Sequence, residues 1–192
     1  MEGKPNPVGS WEEYFASTLD KPVHPLYQAV EFKSGCSALE LGAGVGTGVR
    51  FLLDRGLSVT AVDISAEAIQ ILSERCPQAT IMESRIEDCA FPAESFDYVI
   101  AGFCLFFLER DSCAQALSQI KTWLKPGGLF IGQFLGEKDD WVPMGYLAHT
   151  EAEISTAFLG FERVHWEEVD RDGFVSQGLA KHWHIFHVGL RK

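Results

Sequence analysis

Basic residues are scarce in this sequence, and their scarcity argues against two classes of partner. Lysine and arginine total 16 against 27 aspartates and glutamates, which leaves a formal net charge of −11. Proteins that bind nucleic acid or anionic membranes rely on clustered Lys and Arg, and no basic run is present. We therefore expect no nucleic-acid partner and no membrane partner.

Cysteines are few and poorly spaced for disulfides or zinc. The five cysteines are an odd number and include no C-x-x-C pair, so we expect reduced thiols and no metal site. The N-terminus lacks the apolar core of a signal peptide, and the longest nearly continuous apolar run, 98–108, is too short to cross a bilayer as a helix. These absences predict a cytoplasmic protein.

The chain has 192 residues, no internal repeat and no linker-like stretch, which predicts a single domain over 1–192. Its divisions are a helical arm over 1–33, a core over 34–135, and a final part over 136–192. The arm is expected to hold one helix near Trp11 and a second short helix after Pro25.

Strand-like and helix-like segments alternate through the core. The predicted strands are 37–41, 58–62, 80–82, 96–103 and 129–135; the helices follow the glycine-rich turn 42–48, Ser65 and Asp111, and 125–128 is a turn. This alternation predicts an α/β fold with a doubly wound, mostly parallel sheet.

The final part of the chain breaks the alternation. Thr150 and Glu153 have the spacing of a capping box, which predicts a helix that Gly160 ends. Two strands follow, 161–169 and 181–190, with no helix between them, so they are expected to be antiparallel. The sheet is thus predicted to have seven strands, the final one reversed.

A glycine-rich turn where the first strand ends is the strongest functional signal. Glycines there let the backbone turn sharply and approach a ligand closely. No lysine occurs between Lys33 and Lys121, which excludes a P-loop, and neither register of the glycines completes the dinucleotide pattern G-x-G-x-x-G. What is present is E-x-G-x-G-x-G, from Glu40 to Gly46.

Asp63 is the second signal, because it ends the next strand at a distance suited to a nucleoside ligand. A carboxylate at that place can accept hydrogen bonds from both hydroxyls of a ribose. By itself Asp63 is equally consistent with an exposed turn residue that helps to cap the following helix.

From about Cys36 to Leu135 the sequence resembles the class I S-adenosylmethionine-dependent methyltransferases. The matching segments, in chain order, are Glu40–Gly46, Asp63, 85–88, 91–99 and 124–128. The resemblance implies a Rossmann-like methyltransferase fold with S-adenosyl-L-methionine as cofactor, bound by the core 34–135. More narrowly, 136–141 and 181–187 are similar to small-molecule enzymes of the tellurite-resistance type.

The resemblance assigns a set of residues to the cofactor. They are Glu40, Gly42, Ala43, Gly44, Gly46, Asp63, Ile64, Arg85, Ile86, Glu87, Ala101 and Phe103. Many relatives have an acid where this chain has Arg85, and arginine has no acceptor for the adenine amino group. We expect the main chain around Ile86 and apolar contacts to hold adenine, with Glu87 as the candidate acceptor.

The methyl acceptor is expected above the fourth and fifth strands. Its candidate residues are Phe106 and Phe107, Asp139 and Trp141 in the loop after the fifth strand, and Trp11 and Tyr14 as a lid. Asp139 is read more readily as part of a solvated loop than as a catalytic group. Displacement from a sulfonium requires alignment more than a base, so no catalytic residue is assigned.

Two histidines in the final predicted strand are candidate metal ligands. His182 and His184 point to the same face of a strand, but two histidines are an incomplete site, and a structural role is favoured. His187 points to the opposite face.

The sequence therefore predicts transfer of a methyl group to a small molecule, by a monomer or homodimer. Two alternatives remain. One is a non-catalytic sensor or subunit that binds the same nucleoside cofactor, and the weaker one is an NAD-dependent oxidoreductase.

Overall fold

The computed structural model describes residues 6–192, so the first five residues of the predicted arm lie outside it. Its centre is a seven-stranded sheet of order β3-β2-β1-β4-β5-β7-β6, in which β7 is antiparallel to both neighbours and the other pairings are parallel. This confirms the predicted α/β sheet with a reversed final strand. The strands are β1 (Ser37–Leu41), β2 (Ser58–Asp63), β3 (Thr80–Glu83), β4 (Phe96–Ala101), β5 (Leu124–Leu135), β6 (Glu162–Phe174) and β7 (Ala180–Arg191).

Two of the helices begin where local capping signals predict them. Ser65 accepts a hydrogen bond from the Ala68 N–H (3.3 Å), and Thr150 with Glu153 forms a capping box. The described α-helices are α1 (Trp11–Thr18), α2 (Thr47–Leu53), α3 (Ala66–Arg75), α4 (Arg110–Trp123) and α5 (Glu151–Ala157). A 3₁₀ turn over Pro25–Gln28 replaces the second arm helix. None of these helices is long and apolar enough to cross a membrane.

The sheet is packed on both faces, because successive residues of a strand point to opposite sides. Leu39 and Leu41 of β1 belong to the core that α4 and α5 cover, whereas Ala38 belongs to the core that α2 and α3 cover. Each fully buried leucine contributes about 1.5–3 kcal/mol through removal of its apolar surface from water. Burial on both faces explains why β1 is a nearly continuous apolar run.

Two boundaries differ from the prediction near the end of β4. The strand ends at Ala101, before the predicted end, because Phe103 has a φ of 53° and lies in the left-handed region. α4 begins at Arg110 with Glu109 as its N-cap. Asp111 therefore does not cap the helix, and its carboxylate lies in the first turn, where the helix dipole favours negative charge.

β5 and β6 extend well beyond their predicted bounds. The segment 125–128, predicted as a turn, belongs to β5, which begins at Leu124, where this residue pairs with Phe96 before a shift of register. β6 continues past its predicted end at 169 to Phe174, which pairs with Ala180 of β7.

The order of the strands places a crevice between β1 and β4. From β1 the chain winds outward to β2 and β3, and from β4 it winds in the other direction to β5. In such sheets ligands bind at the carboxyl ends of the strands where the winding reverses.

Candidate active site

A cavity of about 1400 Å³ opens at the carboxyl ends of β1 and β4. The predicted residues that line it are Glu40, Gly42, Ala43, Gly44, Asp63, Ile64, Arg85, Ile86, Glu87, Phe103, Trp11, Tyr14, Phe106, Phe107 and Trp141. The structure therefore brings most of the sequence-predicted residues to one cavity wall, although they come from six separate parts of the chain.

The glycine turn follows β1 and forms one end of the cavity. Gly42, Gly44 and Gly46 have φ values of 67°, 52° and 81°, which side-chain-bearing residues rarely adopt. A Cβ on Gly42 would also lie 2.5 Å from the Cβ of Cys104. Glycine is thus required at position 42 by backbone conformation and by packing.

Asp63 fixes the shape of this turn. One of its carboxylate oxygens accepts a hydrogen bond from the Gly44 N–H (2.8 Å), and the other accepts from the Ser65 N–H (2.9 Å). Burial raises the pKa of Asp63, although these backbone hydrogen bonds oppose the shift. Each oxygen has a second lone pair, so Asp63 can hold the turn and still accept from a ligand hydroxyl.

Glu40 is buried beside the turn with one oxygen unsatisfied. Its Oε1 accepts a hydrogen bond from the Tyr27 hydroxyl (2.6 Å), while Oε2 has no partner among residues 6–192. Burial raises the pKa of Glu40 to about 7, and the hydrogen bond from Tyr27 works against that rise. Buried polar atoms are nearly always hydrogen-bonded, so a free oxygen in a cavity wall is a place for a ligand donor.

Glu87 presents a second such oxygen. Arg85 donates two hydrogen bonds to Glu87 Oε1 (2.9 and 2.6 Å), and Glu87 Oε2 is buried with no partner in the described chain. Arg85 thus supplies no acceptor itself but orients the carboxylate of its neighbour. Ile86, between them, is buried and lines the cavity.

Helix α1 packs over the end of the cavity that the glycine turn forms. Phe15 is buried against Val45 and Ala68, and its ring lies 3.9 Å from where a Gly44 Cβ would be. Tyr14 lies near Asp63, whose charge raises the pKa of the phenol in addition to the larger effect of burial.

Aromatic rings form the other end of the cavity. The Phe106 and Phe107 centroids are 4.8 Å apart, and Trp11 of the arm packs edge-on against Phe107 at 5.4 Å. Phe106 also contacts Trp141, with ring centroids 5.7 Å apart. This end of the cavity therefore has an aromatic wall.

Three predicted residues lie outside the cavity lining. Gly46 begins α2 and packs towards Leu72 instead, and Ala101 is fully buried at the end of β4. Asp139 is buried in an ion pair with Lys181. The reading of Asp139 as a solvated loop residue is therefore wrong, and its carboxylate is not available to an acceptor.

The two histidines weighed as metal ligands have other partners. His182 is hydrogen-bonded to Asp170 (2.9 Å) and Asp172 (2.7 Å), and His184 to Glu168 (2.9 Å). Within residues 6–192 no group of three or more metal-ligating side chains is suitably arranged.

The cavity residues that sequence reasoning missed include His24, Tyr27, Gln133 and His187. Gln133 and His187 are buried polar residues in apolar strands, and their side chains are joined at 3.0 Å. The signal that could have identified them in the sequence is a polar residue within an otherwise apolar strand. Tyr27 and His24 lie in the 3₁₀ turn region of the arm and gave no comparable signal.

Comparison with known proteins agrees with this geometry. Residues 38–128 match the family model described as "Methyltransferase domain". A demethylmenaquinone methyltransferase of Tropheryma whipplei is 33% identical over 100 residues, which cover 51% of this chain and 41% of that protein. This chain spans about half the length, or less, of such curated relatives.

Solved structures share the fold at low sequence identity. TehB from Haemophilus influenzae has a TM-score of 0.78 at 19% identity, covering 96% of this chain and 68% of that one. The N-methyltransferase NodS from Bradyrhizobium japonicum WM9, solved with S-adenosyl-l-homocysteine, has a TM-score of 0.70 at 18% identity, covering 97% and 88%.

The seven-stranded sheet with its reversed β7 and glycine-turn cavity is that of the Rossmann-like methyltransferases. Residues 38–128 are therefore similar to the methyltransferase domain, and they lie in a fold that is shared with solved S-adenosylmethionine-dependent methyltransferases.

Proposed function

We propose that this protein transfers a methyl group from S-adenosyl-L-methionine to a small-molecule acceptor by in-line displacement. The supporting observation is one continuous cavity with two different ends. One end has the glycine turn and the unsatisfied buried oxygens of Glu40 and Glu87, and the other is walled by aromatic rings. A nucleoside and an aromatic acceptor together match these two ends.

The residues present suit the cofactor's donor groups. Glu40 Oε2, which has no partner in the described chain, would accept from the cofactor's cationic amino group, and Glu87 Oε2 would accept from the amino group of adenine. Asp63 retains lone pairs for the ribose hydroxyls. When bound, the cofactor supplies a methyl group activated by a positively charged sulfur.

The chain's own contribution is alignment and exclusion of water. Trp11 and Tyr14 of the arm, with Phe107, line the cavity and pack against one another, and we expect them to exclude water from the reacting groups. No general base is assigned, because displacement at the sulfonium benefits from a base only when the acceptor carries a proton that must leave early.

Several expectations from the sequence enter the proposal unchanged. They are a single domain with the arm as a lid, a cytoplasmic monomer or homodimer, and no nucleic-acid or membrane partner. The acidic composition, with a net charge of −11, supports the absence of a nucleic-acid partner.

Two measurements test the function. Calorimetric titration with S-adenosylmethionine, S-adenosylhomocysteine and NAD separates the methyltransferase from the oxidoreductase, and NAD binding alone would refute the proposal. Incubation with S-adenosylmethionine and a cell-extract fraction of small molecules then measures release of S-adenosylhomocysteine. Binding without release would favour the non-catalytic sensor.

The role of Asp63 is tested by Asp63→Asn. The variant loses charge-assisted acceptors for the ribose, so cofactor binding is expected to weaken by about 1–3 kcal/mol. Calorimetry of S-adenosylhomocysteine binding measures the change, and Asp111→Asn, an exposed aspartate on α4, is the control. Equal affinity in wild type and Asp63→Asn would contradict the ribose role.

A further inference from the structure

The orientation of Gln133 fixes the proton of His187. The Phe103 N–H donates to Gln133 Oε1 at 3.1 Å, so the amide nitrogen of Gln133 faces His187 Nδ1 at 3.0 Å. An amide NH₂ only donates, and Nδ1 must therefore accept. Neutral His187 consequently carries its proton on Nε2.

His24 has the same tautomer for a similar reason. Its Nδ1 accepts a hydrogen bond from the Leu26 N–H at 3.2 Å, which places the proton of the neutral ring on Nε2. The His24 and His187 ring centroids are 5.0 Å apart. Burial is the main cause that lowers the pKa of His187 to about 4 and also lowers the pKa of His24, so both rings are neutral near pH 7.

Both Nε2–H groups belong to side chains of the cavity wall, and neither has a partner in the described part of the chain. Arg171 lines the same region and has no ion pair or hydrogen bond to its side chain within residues 6–192. Asp172 is already hydrogen-bonded to His182 (2.7 Å), and Glu167, opposite His187 on β6, is not part of the lining. The charge of Glu167 acts on His24 from outside the lining, whereas the groups of this part of the lining that have no partner in the described chain, the two Nε2–H groups and the Arg171 guanidinium, are donors.

Aromatic rings surround these donors. His24 packs edge-on against Phe103 at 5.2 Å, and Phe103 packs against Trp183 at 6.0 Å. Trp141 lies 5.4 Å from Trp183. The left-handed backbone of Phe103, with φ of 53°, places its N–H on Gln133, so one strained residue links the aromatic wall to the donor pair.

We propose that the methyl acceptor is a small aromatic molecule bearing an oxyanion, which the Nε2–H groups of His24 and His187 hold while Arg171 supplies positive charge. The inference rests on the proposed function, whose cofactor occupies the other end of the cavity. His24 and His187 serve as hydrogen-bond donors that position the substrate. Neither acts as a base, because the nitrogen that could accept a proton is already occupied.

The test uses three probes with one ring system and different charge: 1-naphthoate, 1-naphthamide and 1-naphthylmethylammonium. Each is titrated calorimetrically into protein saturated with S-adenosylhomocysteine. The naphthoate is expected to bind at least about tenfold more tightly than the ammonium probe, as charge-assisted hydrogen bonds require. His187→Phe and His24→Phe, which keep a ring but lose the donor, are each expected to remove most of that preference.

Arg171→Met, at an exposed position, supplies a variant with little risk to folding, and His182→Gln is the control outside the cavity. Arg171→Met is expected to lower naphthoate affinity severalfold and leave naphthamide unchanged, whereas His182→Gln changes neither. Equal or reversed preference between naphthoate and the ammonium probe, with S-adenosylhomocysteine bound normally, would overturn the inference alone. Failure of S-adenosylhomocysteine to bind would overturn the proposed function first and this inference with it.

Discussion

At the scale of single residues, Glu40 shows how a ligand site costs stability. Burial raises the pKa of Glu40 from 4.5 to about 7. A raised pKa means that the folded state binds the proton of Glu40 more tightly than the unfolded state does. The stabilisation that comes from this proton binding is complete below pH 4.5 and is lost as pH rises through about 7. Ionised Glu40 then lowers the stability of the free protein by on the order of 3 kcal/mol.

Glu40→Gln is therefore expected to stabilise the protein without cofactor above about pH 7.5, because the glutamine carries no charge and its carbonyl can still accept from Tyr27. The gain is expected to shrink towards about pH 5, where wild-type Glu40 is neutral as well. The same variant is expected to weaken cofactor binding, since it removes the carboxylate that is proposed to accept from the cofactor's cationic amino group.

Urea unfolding at several pH values, with calorimetry of S-adenosylhomocysteine binding, measures both effects. Glu31→Gln, at an exposed position outside the cavity, is the control. A Glu40→Gln variant that is equally destabilised at every pH would show that the buried charge is not the dominant effect.

The residues of the cofactor end could be predicted because their signals are local. The glycines and Glu40 lie in one short segment, and Asp63 ends the next strand. The pairing of Gln133 with His187 could not be predicted, because these residues are 54 positions apart and meet only through the register of β5 and β7. The register of β5 against β7 cannot be predicted from a single sequence.

At the scale of elements, a buried ion pair attaches the loop after β5 to β7. The Lys181 ammonium donates to the Asp139 carboxylate, which also accepts from the Trp141 N–H (3.0 Å) and the His184 N–H (3.1 Å). The charged run Glu137–Asp140 predicts an exposed loop. Asp139, however, is buried by its ion pair with Lys181, which lies 42 residues further along the chain. A long-range contact therefore reverses a local prediction.

Asp139→Ala is expected to destabilise the protein by about 3–5 kcal/mol, because it leaves a buried ammonium and two backbone N–H groups without their acceptor. Lys181→Met is expected to cost less, since Asp139 keeps both backbone donors. Asp140→Ala is the matched control, with an exposed side chain that accepts one hydrogen bond, from the His182 N–H. Urea unfolding ranks the three, and an Asp139→Ala variant no less stable than Asp140→Ala would contradict the role of the pair.

At the scale of the whole molecule, the architecture was predictable, and the contact between the arm and the β6–β7 hairpin was not. Alternating strands and helices imply a parallel sheet, and the chirality of the crossovers leaves few arrangements. The arm, however, meets the tip of the β6–β7 hairpin. Lys21 Nζ donates to the Ser176 carbonyl oxygen (2.8 Å), and Gln177 donates to the Val8 carbonyl oxygen (2.8 Å). These contacts join residues more than 150 positions apart, beyond the reach of local patterns.

Because the arm packs on the glycine turn through Phe15, its docking and cofactor binding are expected to support each other. Phe15→Ala removes the ring buried against Val45 and Ala68 and so favours an undocked arm. Affinity for S-adenosylhomocysteine is expected to fall about 5- to 150-fold, the usual range of such coupling, while the sheet remains folded since the arm can open separately. Calorimetry gives the affinity, and hydrogen exchange of α1 amides reports the docking, with exposed Glu12→Gln as the control on the same helix. If α1 amides exchange faster in Phe15→Ala but affinity stays at the wild-type value, the arm is a separate appendage, and the cavity binds its cofactor without a lid.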